Sequence, residues 1–317
     1  MPLMKTLPRT HLKRVLQDYL RIRLLKPDTI DCYQDAVRRW IDDTGLDDLK
    51  VITADDVIDW RNRLLTRIAR TTWNKERRHL RAVANYALKQ SLIEANPFVE
   101  VPAAPEPGRL PKTVAIDVVN AGLTLLSKSS GTSHSMSPRW FWGIVVRALY
   151  FTGIRRSQLP GIRWGELNLP GRSLLLRYQT SKTFREKYLP IHDDLVADLE
   201  YLYQRTCEVL GRTPRPEEQV FNGTLFNPRY QSDELTRDQI SRFFQALSEE
   251  LGQKVSAHRL RHTMATHLAP TGQIRSLQEV LGHTNVKTTM IYVHPDLEQL
   301  NAFLGHLPGL RPMGRSC

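Results

Sequence analysis

The chain has 317 residues, of which 41% are hydrophobic and 25% charged, a mixture typical of a globular protein with room for two domains. No signal peptide is evident near the amino terminus, and no apolar run approaches the ~18 residues that cross a bilayer. We therefore expect an intracellular, soluble protein with no membrane partner. Three cysteines lie far apart, at Cys32, Cys207 and Cys317, which argues against a disulfide framework or a zinc knuckle.

The charge of the chain favours a polyanionic partner. The formal net charge is +12 and the isoelectric point is about 9.8, which favours nucleic acid before membrane. The distribution is uneven, since Asp28 to Asp59 contains ten acidic and three basic residues, whereas Arg61 to Arg81 contains eight basic residues and one acid. One surface of the amino-terminal half is therefore expected to attract phosphates.

Residues 1–100 show helical periodicity. Tyr33, Val37 and Trp40 fall at i, i+4 and i+7 on one face. Thr53 followed by Asp55 is typical of a helix N-cap with an acid in the first turn. We expect a helical domain over this region.

A further helix is predicted from near Thr72, with one polar face. Asn74, Arg78, Arg81 and Asn85 recur on it at i, i+4, i+7 and i+11, and Arg and Asn reach both phosphates and base edges. The alternative is a solvated helix face. The candidate DNA-binding residues are Asn74, Lys75, Arg78 and Arg81.

A proline-rich stretch separates two domains. Residues 101–108 read VPAAPEPG, have no periodicity and are typical of an extended, semi-rigid linker. We place a helical domain at 1–100, a linker at 101–112 and a second domain at 113–317.

The second domain combines helices with a small sheet. Two short strands are expected at about 173–178 and 187–191, joined by a basic loop at 179–185. The fold class is therefore mainly α with a small β-sheet (α+β). Helices are predicted at about 116–127, 138–152, 193–210, 238–251, 258–268, 274–281 and 296–304.

Three segments of this domain carry residues suited to phosphoryl transfer: Thr152–Leu159 (TGIRRSQL), His258–His262 (HRLRH) and Leu281–His294 (LGHTNVKTTMIYVH). They supply arginines, histidines and a tyrosine, but no cluster of the acids that hold catalytic metal ions. Arginine binds phosphate oxygens bidentately and stays charged. The set is therefore suited to phosphoryl transfer without a metal or other cofactor.

The same segments resemble the signature of the tyrosine recombinase (phage integrase) family. That signature is H-x-L-R-H, then L-G-H, then a tyrosine, and here Arg261 precedes His283 by 22 residues and Tyr292 follows it by nine. Upstream, Thr152–Arg155 resembles the family's T-G-L-R, and Gly161–Leu167 resembles the segment that usually follows it.

Further matches extend the resemblance to about residues 28–304. Ser181–Thr183, in the predicted loop, resembles the element that carries the family's catalytic lysine. Tyr86-Ala87 with Asn96-Pro97 resembles the end of the family's core-binding domain. The resemblance implies a helical, SAM-like core-binding domain and a catalytic domain that form a C-shaped clamp on DNA.

The resemblance also implies catalytic roles. Arg155 and Arg261 would clamp the scissile phosphate and stabilise its transition-state charge. Tyr292 would be the nucleophile, and its phenol, with a pKa near ~10, needs help from nearby cations and a histidine. His258 would exchange the proton of the tyrosine.

Two more residues complete the implied catalytic set. Lys182 would protonate the departing 5′-hydroxyl, with Lys187 as a nearby alternative. His283 would hydrogen-bond the phosphate. The product would be a 3′-phosphotyrosine, so rejoining would need neither ATP nor a metal ion.

Other histidines have less specific interpretations. His262 is expected to pack within its helix, and His267 and His294 to be structural. A zinc site at His258, His262 and His267 is disfavoured because no acid or cysteine completes four ligands.

Two positions depart from the family pattern. Gln158 stands where the family commonly has glutamate. The glutamine keeps the ability to hydrogen-bond but lacks the negative charge. Arg156 replaces a common apolar residue and could face DNA or solvent.

The leading function is a site-specific DNA recombinase or integrase of a mobile element. The resemblance implies double-stranded DNA, a homotetramer on two sites and an accessory directionality factor as partners, in the bacterial cytoplasm at the nucleoid. The alternatives are a type IB topoisomerase or a DNA-binding regulator on the same fold. An apolar stripe near the carboxyl terminus would dock on the same or on a neighbouring protomer, through Leu297, Leu300, Phe303 and Leu304.

Overall fold

The protein is described by a computed structural model that covers residues 7–106, 108, 110–128, 134–177, 186–293, 301 and 304. The chain divides into two compact units, Met1–Arg109 and Leu110–Cys317. The division falls within the predicted linker at 101–112. No helix of the described ranges is long and apolar enough to cross a membrane.

The first unit is helical in its described part. Thr53 caps α3 through a capping box with Asp56, as the Thr-x-x-Asp spacing favours. Gly45 ends α2 in the left-handed conformation that glycine adopts without strain. The helices are α1 (Leu12–Arg21), α2 (Pro27–Thr44), α3 (Ala54–Leu65), α4 (Arg70–Lys89) and α5 (Pro97–Glu100).

Aromatic side chains fill the core of this unit. Trp40, Trp60 and Trp73 are fully buried, one each from α2, α3 and α4. The Trp40 and Trp60 rings meet edge to face at 5.0 Å, and Trp60 meets Trp73 at 5.2 Å. Large rings of this kind dominate core energetics, so these helices depend on one another for stability.

Asn74 of α4 was predicted to bind DNA, but it does not lie on an exposed surface. Its side chain is 8% exposed. Its Nδ2 donates to Ala104 O (2.9 Å) and Glu106 Oε1 (2.6 Å), and its Oδ1 accepts from Ala104 N (2.8 Å). Asn74 therefore holds the first part of the proline-rich stretch against α4.

The rest of the predicted polar face is divided. Asn85 Oδ1 accepts a hydrogen bond from Asn96 Nδ2 (2.7 Å), so this amide is also used internally. Lys75, Arg78 and Arg81 are exposed on α4. These three cations remain candidates for phosphate contacts.

The second unit is mainly helical with a small sheet, which confirms the predicted fold class. The sheet is antiparallel in the order β1-β2-β3, with Leu174 opposite both Leu167 and Leu189. The strands are β1 (Leu167–Asn168), β2 (Ser173–Leu176) and β3 (Lys187–Pro190). The helices are α6 (Ile116–Ser127), α7 (Arg139–Thr152), α8 (Asp193–Leu210), α9 (Arg237–Glu250), α10 (Ala257–Leu268), α11 (Ile274–Leu281) and α12 (Lys287–Met290).

Helix α7 runs through the centre of this unit. It packs against α6, α8 and α10, and Trp142 stacks on Phe243 of α9 with ring centroids 4.2 Å apart. Its carboxyl-terminal end lies beside α10, which packs in turn against α11. This packing brings together the three segments singled out from the sequence.

Several predicted features lie outside the described residues. They include the loop at 179–185 with Lys182, His294, and the stripe residues Leu297, Leu300 and Phe303. Of that stripe only Leu304 is described, and it is 55% exposed.

Candidate active site

Two glycines end the helices that lead into the site. Gly153 (φ +58°) follows α7, and Gly282 (φ +61°) follows α11, both in the left-handed conformation. A Cβ on Gly153 would lie 1.9 Å from Met264 Cε, and one on Gly282 would lie 3.2 Å from Lys187 Nζ. The backbone conformation therefore favours glycine at both positions, and a Cβ at Gly153 would in addition force the buried Met264 side chain to move.

Arg261 of α10 joins the two glycine turns. Its guanidinium donates through Nη1 to Gly153 O (2.5 Å) and through Nη2 to Leu281 O (2.6 Å). Both carbonyls lie at helix carboxyl-terminal ends, where a cation is favoured. Arg261 is only 3% exposed, and burial beside Arg155 lowers its pKa to about 10, which leaves it charged at neutral pH.

His283 follows the second turn and is held in one tautomer. Its Nε2 lies 3.1 Å from Nη2 of Arg261, which can only donate, so Nε2 accepts. Its Nδ1 therefore carries the proton and donates to Thr289 Oγ1 (2.9 Å), a fully buried hydroxyl. Burial, with Arg261 and Arg155 as the nearest cations, lowers the pKa of His283 to about 4, so the ring is neutral at pH 7.

Tyr292 lies in the same pocket. It is 4% exposed, and its ring stacks at 11° to that of His283 with centroids 6.5 Å apart. Burial raises the pKa of the phenol, while the positive charges of Arg261 and Arg155 act in the opposite direction. The free protein therefore holds a protonated phenol within the field of two guanidinium groups.

The hydroxyl of Tyr292 is hydrogen-bonded to a histidine that the sequence analysis interpreted otherwise. His262 Nδ1 lies 2.8 Å from Tyr292 Oη, so the expectation that His262 only packs within its helix is wrong. His258, one helical turn away, is exposed and contacts the His262 ring at 4.1 Å between centroids. The H-x-L-R-H spacing indicated that His258 and His262 are neighbours, since positions i and i+4 share a helix face.

Arg155 is positioned by the residue that departs from the family pattern. Gln158 is 3% exposed, and its Oε1 accepts from the backbone N–H of Arg155 (2.9 Å). The amide therefore makes a contact that a carboxylate could also make. Arg156 is exposed, and its Nη1 donates to Ser241 Oγ on α9 (2.5 Å).

Lys187 reaches the site from the first residue of β3. Its Nζ donates to Val280 O (2.7 Å) and Glu279 O (3.0 Å) at the end of α11. Burial, then the charges of Arg261 and Arg155, lower its pKa to about 8. The ammonium is therefore tied to the turn that carries His283.

The histidines do not form a metal centre within the described ranges. Neither there nor elsewhere in the described part of the chain do three His, Cys, Asp or Glu side chains group as potential metal ligands. His267, expected to be structural, has its Nδ1 2.9 Å from Tyr150 Oη. Cys32 and Cys207 are free thiols, and Cys317 is outside the described residues.

The assembled pocket is suited to attack on a phosphodiester. It presents a nucleophilic phenol, two charged guanidiniums for nonbridging oxygens and a neutral base. Of the predicted catalytic residues, Arg155, Arg261, His283 and Tyr292 lie together, and His258 contacts the ring of His262, the partner of the phenol.

The chain belongs to the phage integrase family, whose sequence profile matches residues 121–299, more than half of its length. It is 32% identical to a putative tyrosine recombinase XerC of Pseudomonas syringae, over 90% of this chain and 62% of that protein. It is 33% identical to a putative tyrosine recombinase XerC of Pseudomonas aeruginosa, over 78% of this chain and 60% of that protein. The chain thus spans about three fifths of the length of these two relatives.

A relative of similar length is tyrosine recombinase XerC of Listeria monocytogenes serotype 4a, which is 28% identical over 94% of this chain and 97% of that protein. These matches confirm the family resemblance found from the sequence motifs.

Solved structures share the fold. The Tn1549 transposon integrase in complex with a circular intermediate DNA superposes with a TM-score of 0.71 at 18% identity, over 94% of this chain and all of that chain. A lambda integrase dimer bound to a COC′ core site gives a TM-score of 0.67 at 21% identity, over 90% of this chain and 95% of that chain.

Proposed function

We propose that this protein is a tyrosine-type site-specific DNA recombinase that cuts and rejoins DNA through a 3′-phosphotyrosine at Tyr292. The observation that carries the proposal is the grouping of this phenol with Arg155 and Arg261, whose charges both act on it. A buried cationic pocket beside a nucleophile is what a phosphodiester anion needs for attack.

The two arginines supply the charge that a metal ion would supply in other phosphoryl transfer enzymes. Arg261 uses three N–H groups on Gly153 O, Leu281 O and His283 Nε2, out of the five that a guanidinium has. The remaining donors, with those of Arg155, bind the nonbridging oxygens and stabilise charge that develops on them. Because the tyrosyl ester retains the energy of the phosphodiester, rejoining requires no ATP.

His283 changes partners when the phosphate binds. In the free protein its Nε2 accepts from Arg261 and its Nδ1 donates to Thr289. The ring must gain a proton on Nε2 to donate to a phosphate oxygen, and the negative charge of a bound phosphodiester favours that protonation.

Lys182 protonates the 5′-oxygen that leaves. This assignment rests on the family resemblance. Lys187 is the alternative, because its Nζ lies at the turn that carries His283 and its pKa is about 8. The contacts of Lys187 with Glu279 O and Val280 O support a positioning role for it instead. A substrate with a 5′-thiol leaving group, which departs without a proton, should restore cleavage to whichever lysine variant lacks the acid.

Double-stranded DNA is the substrate and main partner. The exposed residues Lys75, Arg78 and Arg81 of α4 support contact with phosphates by the first unit. The solved relatives named above include integrases in complex with DNA. We further propose assembly as a homotetramer on two sites, an accessory directionality factor, and action in the bacterial cytoplasm.

A nicked suicide duplex containing the cognate site tests the proposal. The protein is incubated with it in EDTA, and a denaturation-resistant protein–DNA adduct is expected with the wild type and not with Tyr292→Phe. An adduct of undiminished yield with Tyr292→Phe would contradict the mechanism, and loss of the adduct in EDTA would indicate a metal ion. Relaxation of supercoiled plasmid without any target site would favour a type IB topoisomerase.

A further inference from the structure

The hydroxyl of Tyr292 has a histidine partner outside the catalytic set that the family resemblance implies. His262 Nδ1 is 2.8 Å from Tyr292 Oη, and the two rings are 5.5 Å apart at 47°. A buried phenol requires a hydrogen-bond partner, and His262 provides one from the helix that also carries Arg261.

The surroundings of His262 keep its imidazole neutral. Burial, with His258 and Arg261 beside it on α10, lowers the pKa of His262 to about 4. At neutral pH the ring therefore has one nitrogen with a free electron pair, and with the proton on Nε2 that nitrogen is Nδ1. Arg155 and His283 face the same phenol from the two glycine turns.

We propose that His262 accepts the proton of Tyr292 when the phenol attacks the phosphate, and returns it when the strands are rejoined. The proposal deepens the proposed function and rests on it. His262 would then take over the proton exchange that the family resemblance implies for His258, on the nucleophile's side of the reaction and opposite the acid that serves the leaving group.

The proton balance of the two steps is complete. In cleavage, the Oη–H bond breaks, the proton binds His262 Nδ1, and Oη bonds to phosphorus. The P–O5′ bond breaks, and the 5′-oxygen takes a proton from a separate acid, proposed above to be Lys182. In rejoining, a 5′-hydroxyl returns that proton, its oxygen attacks phosphorus, and the departing Oη recovers its proton from His262.

Substrate binding makes this transfer easier. Arg261 disfavours protonation of His262 by its positive charge. The same guanidinium, with that of Arg155, would bind the phosphodiester. The negative charge of the bound substrate offsets it, so His262 becomes a stronger base in the complex than in the free protein. The base is thus strengthened when the phosphate is in place.

The chain offers a matched control for this proposal. His267 lies on the same helix and has its own tyrosine contact, Nδ1 to Tyr150 Oη at 2.9 Å. His262→Asn and His267→Asn each replace a ring nitrogen by an amide that keeps hydrogen bonding and lacks basicity. Only the first change touches the proposed nucleophile.

Single-turnover cleavage of the suicide duplex is the test, with 5′-oxygen and 5′-thiol leaving groups compared. We expect His262→Asn to slow cleavage about 10²- to 10⁴-fold on both substrates, because the thiol removes the need for the acid and not for the base. His267→Asn should cleave at the wild-type rate. His258→Asn should lose less than His262→Asn, and added imidazole should restore part of the activity of His262→Ala.

Three outcomes would overturn the proposal: wild-type cleavage by His262→Asn, full recovery of that variant on the thiol substrate, or a larger loss in His258→Asn. Normal DNA affinity and an unchanged melting temperature identify a folded variant. If His262→Asn does not fold, the imidazole response of His262→Ala decides, and the absence of any response contradicts a proton-transfer role. Failure of the wild type to form any adduct would refute the proposed function itself, so the two failures are distinguishable.

Discussion

Replacing Asn74 by alanine is expected to weaken the first unit rather than to remove a DNA contact. The side chain amide is buried and bonds to both the N–H and the C=O of Ala104, across 30 residues of sequence, and to the carboxylate of Glu106. Arg78, one turn further along the exposed side of α4, is the matched comparison. The two residues were predicted to act together on DNA, and the structure separates them.

The size of the effect follows from these bonds. Each of the two bonds to Ala104 contributes about 0.5–1.5 kcal/mol, and the third adds little because Glu106 is exposed and its charge is screened by solvent. Asn74→Ala should therefore lower the free energy of unfolding of this unit by about 1–3 kcal/mol. Arg78→Ala should change it by less than about 0.5 kcal/mol.

Amide hydrogen exchange and DNA binding separate the two roles. In Asn74→Ala the amide of Ala104 should lose its protection, and the urea midpoint should fall. In Arg78→Ala both should stay unchanged, while the slope of log affinity against log salt falls by about 1. Retained protection of Ala104 in Asn74→Ala, together with the weakened salt dependence, would refute a structural role for Asn74.

Three further predictions concern the second unit. Gly153→Ala should lower the free energy of unfolding by about 1–3 kcal/mol more than Gly211→Ala does. Both glycines have positive φ, but only a Cβ at Gly153 meets another side chain, that of Met264, which must shift. Equal losses of stability in the two variants would contradict this. The free energy of unfolding should fall as pH drops from 6.5 towards 4. In this window the folded protein keeps His262 and His283 neutral, with pKa values of about 4, whereas the unfolded chain takes up protons at histidines with a pKa of 6.5. Urea titration of His283→Gln should show a shallower fall. Cleavage should decline as pH rises through 8 if the charged Lys187 holds the turn before His283, and Lys187→Met should be slow at every pH without that decline.

Most helices of the second unit could be predicted from the sequence because their signals are local, whereas the short elements β1 and α12 were not predicted. Predicted helices at 116–127, 193–210 and 274–281 coincide with α6, α8 and α11, and both α8 and α11 end at a glycine in the left-handed conformation. Strand β1 was not predicted. It contains only Leu167 and Asn168, too few residues for an alternating pattern to be recognised.

The side-chain partners in the site could not be predicted in the same way. Motif spacing singled out Arg155, Arg261, His283 and Tyr292, which the structure brings into one pocket. It did not show which histidine of α10 meets the phenol, because His262 and Tyr292 are 30 residues apart and their contact depends on how α10 packs. Periodicity gives the face of a helix, and only tertiary packing gives its partner.

Mass spectrometry of the covalent adduct tests the central claim most directly. The adduct from the suicide duplex is digested with a protease and a nuclease, and the nucleotide-bearing peptide is sequenced. We predict a nucleotide joined through its 3′-phosphate to the phenolic oxygen of Tyr292. Attachment to any other residue, or through a 5′-phosphate, would contradict the account.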